Sequence, residues 1–145
     1  MTFLVERLAE LRRHLEHLRR LSARVPGPEA LERDQSLHND VMFSLLMVAQ
    51  LVVDIAGELS ARRGWRFEDY TEAVRNLRRL DLLPDEAVAV LESLPGFRNV
   101  VIHEYVSLDL RRVVEALARL EPVEQFLEAV RQLEAKGGSG EGDAR

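Results

Sequence analysis

Apolar residues recur at threes and fours from the start of the chain. Phe3, Leu4, Leu8, Leu11, Leu15, Leu18 and Leu21 share one face, and Arg12, Arg13, Glu16, Arg19 and Arg20 fill the other. This spacing predicts a first helix that ends near Pro26, Gly27 and Pro28. Asp34 or Ser36 can cap a second helix running to about Ser60, apolar almost all round between Val41 and Val53. A helix of that kind sits at the centre of a bundle or under a partner. Gly64 supplies a helix end, and Phe67, Tyr70, Val74, Leu77 and Leu80 mark a short third helix. Pro84, Asp85 and Glu86 read as the start of a fourth, and Pro95 as the start of a segment carrying Arg98 and His103. A last stripe begins near Leu108 and passes through Leu117, Leu120, Phe126 and Val130 to about Glu134, with Pro122 expected to kink or split it. The expected fold is therefore an all-α, up-and-down bundle of about five helices over residues 1–135. Residues 136–145, rich in Gly and Ser, are expected to be a disordered tail.

A chain of 145 residues fits one domain and one core. It contains no Cys, which excludes disulfides and thiolate chemistry, and the expectation is a protein without metal or cofactor. The first residues turn charged at Glu6 and Arg7, unlike a signal peptide, and the apolar run 41–53 is shorter than the roughly 20 residues of a spanning helix. A cytoplasmic protein with no membrane partner is the expectation. Net charge is −5, which argues against strong nonspecific binding to polyanions and against DNA as a partner. The basic charge is almost all Arg, with Lys136 the sole Lys, and Arg is the better residue for bidentate phosphate contacts.

Candidate chemistry is concentrated between Phe97 and Tyr105, where an Arg, an Asn, a His and a Tyr fall together. His is suited to proton transfer near neutral pH, and Arg stabilises charge on a phosphoryl group. Such a pair can cleave RNA without metal. The His takes the proton of a ribose 2′-hydroxyl, the Arg holds the phosphate, and a 2′,3′-cyclic phosphate and a 5′-hydroxyl result. In an ideal helix, however, Arg98 and His103 diverge by about 140° at roughly 100° per residue. Arg98 must reach around, or the helix must end at His103, or two copies of the chain must share the cleft. Spacing alone also leaves a structural reading open: Arg98 paired with a surface carboxylate, Asn99 capping a helix, and His103 a satisfied polar group.

The stretch from Arg98 and Asn99 to His103 and Tyr105 resembles the Arg-Asn-x-x-x-His-x-Tyr signature of HEPN-domain toxins of the HepT-like family. Phe97, Asp109, the Asp-Ile-Ala at 54–56 and the glycine-to-aromatic segment from Gly64 to Tyr70 match as well, so the resemblance covers about residues 34–126. It implies a homodimeric helical bundle with two motifs facing across a cleft, endoribonuclease activity, and pairing with a minimal nucleotidyltransferase (MNT) antitoxin that silences the toxin by AMP transfer to a tyrosine. Carried onto this chain, Arg98 and His103 are the catalytic pair, Asn99 and Asp54 support them, and Tyr105 is the modified residue. The homodimer is also suggested by a second helix too apolar to be covered in a small monomer. A noncatalytic HEPN subunit that serves an MNT partner, or a nucleotide, as scaffold or substrate is the alternative.

Several features outside the motif have bland readings. His14 and His17 lie three apart and read as solvated, and His38 reads as a capping residue. Asp54, late in an apolar helix, needs a partner when buried, and an Arg or His near the cleft is expected to supply it. Arg62, Arg63, Arg66, Arg75, Arg78 and Arg79 can form a basic rim, with Trp65 either a packing anchor or a surface for a base.

Overall fold

The structure, a computed structural model, describes the backbone of residues 2–144 and the side chains of residues 3–137. The chain is all-α, as the pattern predicts, with finer segmentation: eight α-helices and two short 3₁₀ segments among the described residues. They are α1 (Thr2–Ser22), α2 (Pro28–Arg33), α3 (Gln35–Arg62), α4 (Tyr70–Arg75), α5 (Asp85–Glu92), α6 (Leu94–His103), α7 (Leu110–Leu117) and α8 (Leu120–Ala144).

The first leucine stripe behaves as its spacing requires. Leu4, Leu8, Leu11, Leu15, Leu18 and Leu21 are all buried, and α1 packs chiefly on α3. The side chain of Asp34 caps α3 by accepting the Leu37 N–H at 3.1 Å. From there α3 runs as the central helix, against α1 on one side and α4 and α6 on the others. At 28 residues α3 is long and apolar enough to cross a membrane by length and composition, longer than the run 41–53 suggested. Its most apolar stretch is mostly buried inside the bundle, which is the reading its hydrophobicity carries here. Only two of its polar side chains are fully buried. Ser44 is within 3.0 Å of His14 Nδ1 on α1, and Ser60 accepts from Asn76 Nδ2 at 3.2 Å.

Departures from the expected segments have local causes. Helix α2 was not foreseen: Pro28 fits a first helical turn after the extended Gly27, and Leu31 anchors the turn in the core. The expected third helix is α only over Tyr70–Arg75 and tightens to 3₁₀ over Asn76–Leu80, stopping at Asp81 in the left-handed conformation (φ 55). Pro122 splits the last stripe. Its ring would meet the carbonyl of Ala118 in a continuous helix, and the chain turns at Ala118 and Arg119 between α7 and α8. Among the described residues, Leu133 is the last hydrophobic residue packed on the core, just before the segment expected as a tail. Arg145 lies outside the described residues.

Candidate functional site

Helix α6 is fixed by Pro95, Phe97 and Val101, all buried. Placing Phe97 at 0° and Val101 at about 40° on the helical wheel puts Arg98, Ile102, Asn99 and His103 between about 100° and 240°. Asn99, Ile102 and His103 on this arc are exposed, while Arg98 at its edge is half-buried beside α3. The helix ends at His103, with Glu104 at its C-cap and Tyr105–Ser107 continuing as a 3₁₀ turn. Of the geometries that the spacing allowed, α6 thus stops at the motif histidine.

Arg98 is the most constrained residue of the motif. Its guanidinium donates to Gln50 Oε1 and Asn99 Oδ1, each at 3.1 Å, and lies 5.1 Å from the centre of the Tyr70 ring. Its Nε is shielded from solvent and makes no hydrogen bond among the described residues. Gln50 in turn donates to Asp54 Oδ1 at 2.8 Å, and the other Asp54 oxygen is 3.9 Å from Nε of Arg7 on α1. Arg7, Asp54, Gln50, Arg98 and Asn99 form one polar chain across three helices. The acid at 54 has the arginine partner expected of it, but that partner is Arg7, and its tie to Arg98 runs through Gln50.

His103 and Tyr105 are not part of that chain. His103 is exposed and makes no hydrogen bond or ion pair among the described residues. It stands five residues, about 7.5 Å of helical rise, from Arg98, and no hydrogen bond joins the two among the described residues. Tyr105 is 50% exposed, and the edge of His38 meets its ring with centroids 6.0 Å apart. His38 therefore packs against the motif tyrosine through its ring; the α3 cap belongs to Asp34. A groove between α3 and α6 joins this end of the site to Asn39, Met42, Phe43, Leu46, Val101 and Ile102. Phe43 (58% exposed) and Ile102 (54%) leave an apolar ridge in water beside the motif. Asp109 caps α7 by accepting the Arg111 N–H and is paired with the Arg111 guanidinium at 2.9 Å, which holds its carboxyl below the usual range.

With that geometry described, comparison with known proteins is decisive at the level of the family. The family described as ribonuclease HepT-like matches residues 11–130. The chain belongs to the HepT-like ribonuclease family. A protein of Archaeoglobus fulgidus with a provisional RNase name is 27% identical over 111 residues, covering 76% of this chain and 84% of that one. Among solved structures, the fold is similar to the tri-AMPylated HEPN toxin of Shewanella oneidensis in complex with its MNT antitoxin (TM-score 0.75, 20% identity, covering 89% of this chain and 96% of that one). It is also similar to a toxin–antitoxin complex with AMP-PNP (TM-score 0.78, 19% identity, covering 91% and 99%). At these identities the structural likeness concerns the fold, a HEPN bundle, and the functional residues rest on this chain's own geometry.

Sequence reasoning located the HepT-like motif and named Asn99 and Asp54 beside it, but missed Gln50, Tyr70, Arg7 and His38. Gln50 had a legible signal, since it lies four residues before Asp54 on the same helix face. Arg7 had none, and although Tyr70 and His38 stood out in the sequence, their contacts with Arg98 and Tyr105 come from elements distant in sequence. His14 and His17, expected to be solvated, are both engaged by α3: His14 with Ser44, and His17 with Asp40 Oδ1 at 2.8 Å. No group of three His, Cys, Asp or Glu side chains among the described residues is placed to hold a metal ion.

Proposed function

We propose that this HepT-like chain is the toxin subunit of a HEPN/MNT toxin–antitoxin pair, a cytoplasmic endoribonuclease. Its substrate is RNA, cut by internal attack. His103 removes the proton of a ribose 2′-hydroxyl, the 2′-oxygen bonds to the adjacent phosphorus, and the bond to the 5′-oxygen breaks. The departing 5′-oxygen takes up a proton, leaving a 2′,3′-cyclic phosphate and a 5′-hydroxyl. Arg98 neutralises charge that grows on the phosphoryl oxygens, and Asn99 and Asp54 support its position. No step calls for a metal.

The observation that carries this reading is that one helix, α6, carries Arg98 half-buried beside Gln50 and stops at the exposed His103. Within one copy they diverge by about 140° around α6. Two copies that bury the Phe43 and Ile102 ridges against each other would bring two α6 helices together, and each cleft would draw on both. This is why we assign a homodimer to the active form. Tyr105, exposed two residues beyond His103, is accessible to a nucleotidyltransferase, and transfer of AMP to its hydroxyl would load the cleft with a nucleotide.

RNA cleavage by the parent chain, and its loss in both Arg98→Ala and His103→Ala with unchanged helical circular dichroism, tests the assignment. A loss of about 10²–10⁴-fold is expected for the histidine. If both variants still cut, the catalytic pair is wrong. A noncatalytic scaffold or substrate role gains support from one observation, that Arg98 is already occupied by Gln50, Asn99 and Tyr70. That role would show as AMP increments on Tyr105, read by intact mass with partner and ATP, in a parent chain that never cuts RNA.

A further inference from the structure

The basic rim between α3 and the 3₁₀ segment resolves into two groups of arginines. Arg62 is neutralised by Glu58 and Glu134, and Arg75 and Arg78 both bind Glu92, with Asp85 3.7 Å from Arg78. Arg63, Arg66 and Arg79 are exposed and have no carboxylate partner among the described residues. Two of these three converge on one aromatic ring. The guanidiniums of Arg63 and Arg79 lie 5.7 Å and 5.4 Å from the centre of Trp65, which is half-buried.

The loop that presents this cluster is firmly anchored. Gly64 turns the chain at φ +71, a conformation that side chains rarely adopt, and the Trp65 N–H donates to the Ser60 carbonyl at 2.9 Å. Asn76 Nδ2 donates to the Arg66 carbonyl at 3.2 Å, and the Phe67 ring lies close over Gly57. Two of the nearby acids are used in capping contacts, Asp69 accepting the Glu72 N–H and Glu72 the Glu68 N–H, which leaves the carboxylate of Glu68 as the acid within the loop. The same loop leads directly to Tyr70, whose ring faces the Arg98 guanidinium. Five residues span at most about 18 Å even when extended, so the Trp65 cluster lies within that reach of Tyr70.

We propose that Trp65, Arg63, Arg79 and Arg66 form a docking platform for single-stranded RNA, which a strand occupies on its way past Tyr70 to Arg98. The inference rests on the ribonuclease reading and adds the substrate form and its path. Cations beside a half-buried aromatic ring suit a single strand because bases stack without regard to sequence while guanidiniums take the phosphates. A duplex would keep its bases inside. The overall charge of −5 does not oppose this, since Arg63, Arg66 and Arg79, three arginines without a carboxylate partner among the described residues, stand on this one rim.

Trp65 is the sole Trp of the chain, so intrinsic emission reports on the platform alone. In the full-length His103→Ala background, which should not cut, we would titrate a hairpin-free single-stranded RNA and follow Trp emission together with the anisotropy of a labelled copy. Quenching and anisotropy are expected to share one midpoint. Arg63→Gln with Arg79→Gln, which leaves Trp65 and its anchors intact, should weaken binding about ten-fold and flatten the slope of log K against log salt by about 1.4. Trp65→Ala should weaken it comparably and Trp65→Phe less.

The platform is overturned if labelled RNA binds while emission stays constant and the double variant binds as tightly as its background. The ribonuclease reading survives that result, because the parent still cuts. Unchanged RNA affinity with lost binding to the nucleotidyltransferase would assign the surface to the protein partner, also against the proposal. If neither the parent nor its background binds or cuts RNA, the ribonuclease reading falls and the platform with it.

Discussion

Arg98 is held by Gln50, Asn99 and Tyr70, and two of these, Gln50 and Tyr70, are groups that no reading of its neighbours in sequence would supply. Its identity and that of His103 were legible in the motif, as was the need of Asp54 for a partner. The identity of that partner was not, because Arg7 and Asp54 meet only once α1 packs on α3. Gln50 is the joint of this network, and we classify it as a positioning residue. Gln50→Leu keeps the bulk and the helix but releases Arg98 from α3. Cleavage is expected to fall by as much as about 10²-fold, the scale of a misplacement of about 1 Å, with unchanged circular dichroism. His14 gives a second test at this scale. Burial holds its imidazole below the ordinary value, against the nearby Glu10 carboxylate that would raise it. The unfolded chain therefore takes up a proton that the folded chain refuses, and stability declines as pH falls below about 6.5. His14→Gln should flatten the melting temperature between about pH 7 and 5. Glu124 titrates in a lower window: its hydrogen bonds from Arg19 hold its pKa down, so its contribution is lost below about pH 4.5.

At the scale of the element, the boundaries that position the site follow from single residues. Pro95 in the first turn and the stop at His103 set the length of α6, and with it the arc on which Arg98 and His103 sit. The first of these was visible in the sequence. The second was one of three geometries compatible with the spacing, since nothing in Glu104 or Tyr105 forbids a further helical turn. Pro122 announced the break between α7 and α8, whereas α2 escaped notice because six residues are too few for a periodic pattern. Gly64 is the residue on which the turn after α3 depends. Gly64→Ala meets no atoms within 4 Å, so its penalty is purely conformational, about 1–2 kcal/mol. A urea midpoint lowered with unchanged slope would show it. A neutral result would mean that the loop can move to another conformation.

For the molecule as a whole, the sequence conveyed the all-α class and the single core and suggested pairing through the apolar second helix. It did not show which side of that helix stays bare, which depends on where α1, α4 and α6 come to rest. That side carries Phe43, next to Ile102 and Tyr105 on the α6 side of the groove. Phe43→Glu should leave the fold intact, because the side chain is 58% exposed, yet convert a dimer into a monomer in sedimentation or light scattering. Cleavage should be lost along with the dimer. A monomeric parent chain with full activity would overturn the shared cleft.

The two buried hydroxyls of α3 have a consequence of another kind. Apolar contacts are nearly indifferent to sliding, so a helix as uniformly hydrophobic as α3 could shift by a turn against its neighbours and still bury about the same area. Ser44 and Ser60 oppose such a shift, because each would lose its hydrogen-bond partner, His14 at one end and Asn76 at the other. They act as notches that fix axial alignment at little gain in stability. Gln50 and Asp54 lie between the notches, and the register the notches set is the one in which Gln50 meets Arg98.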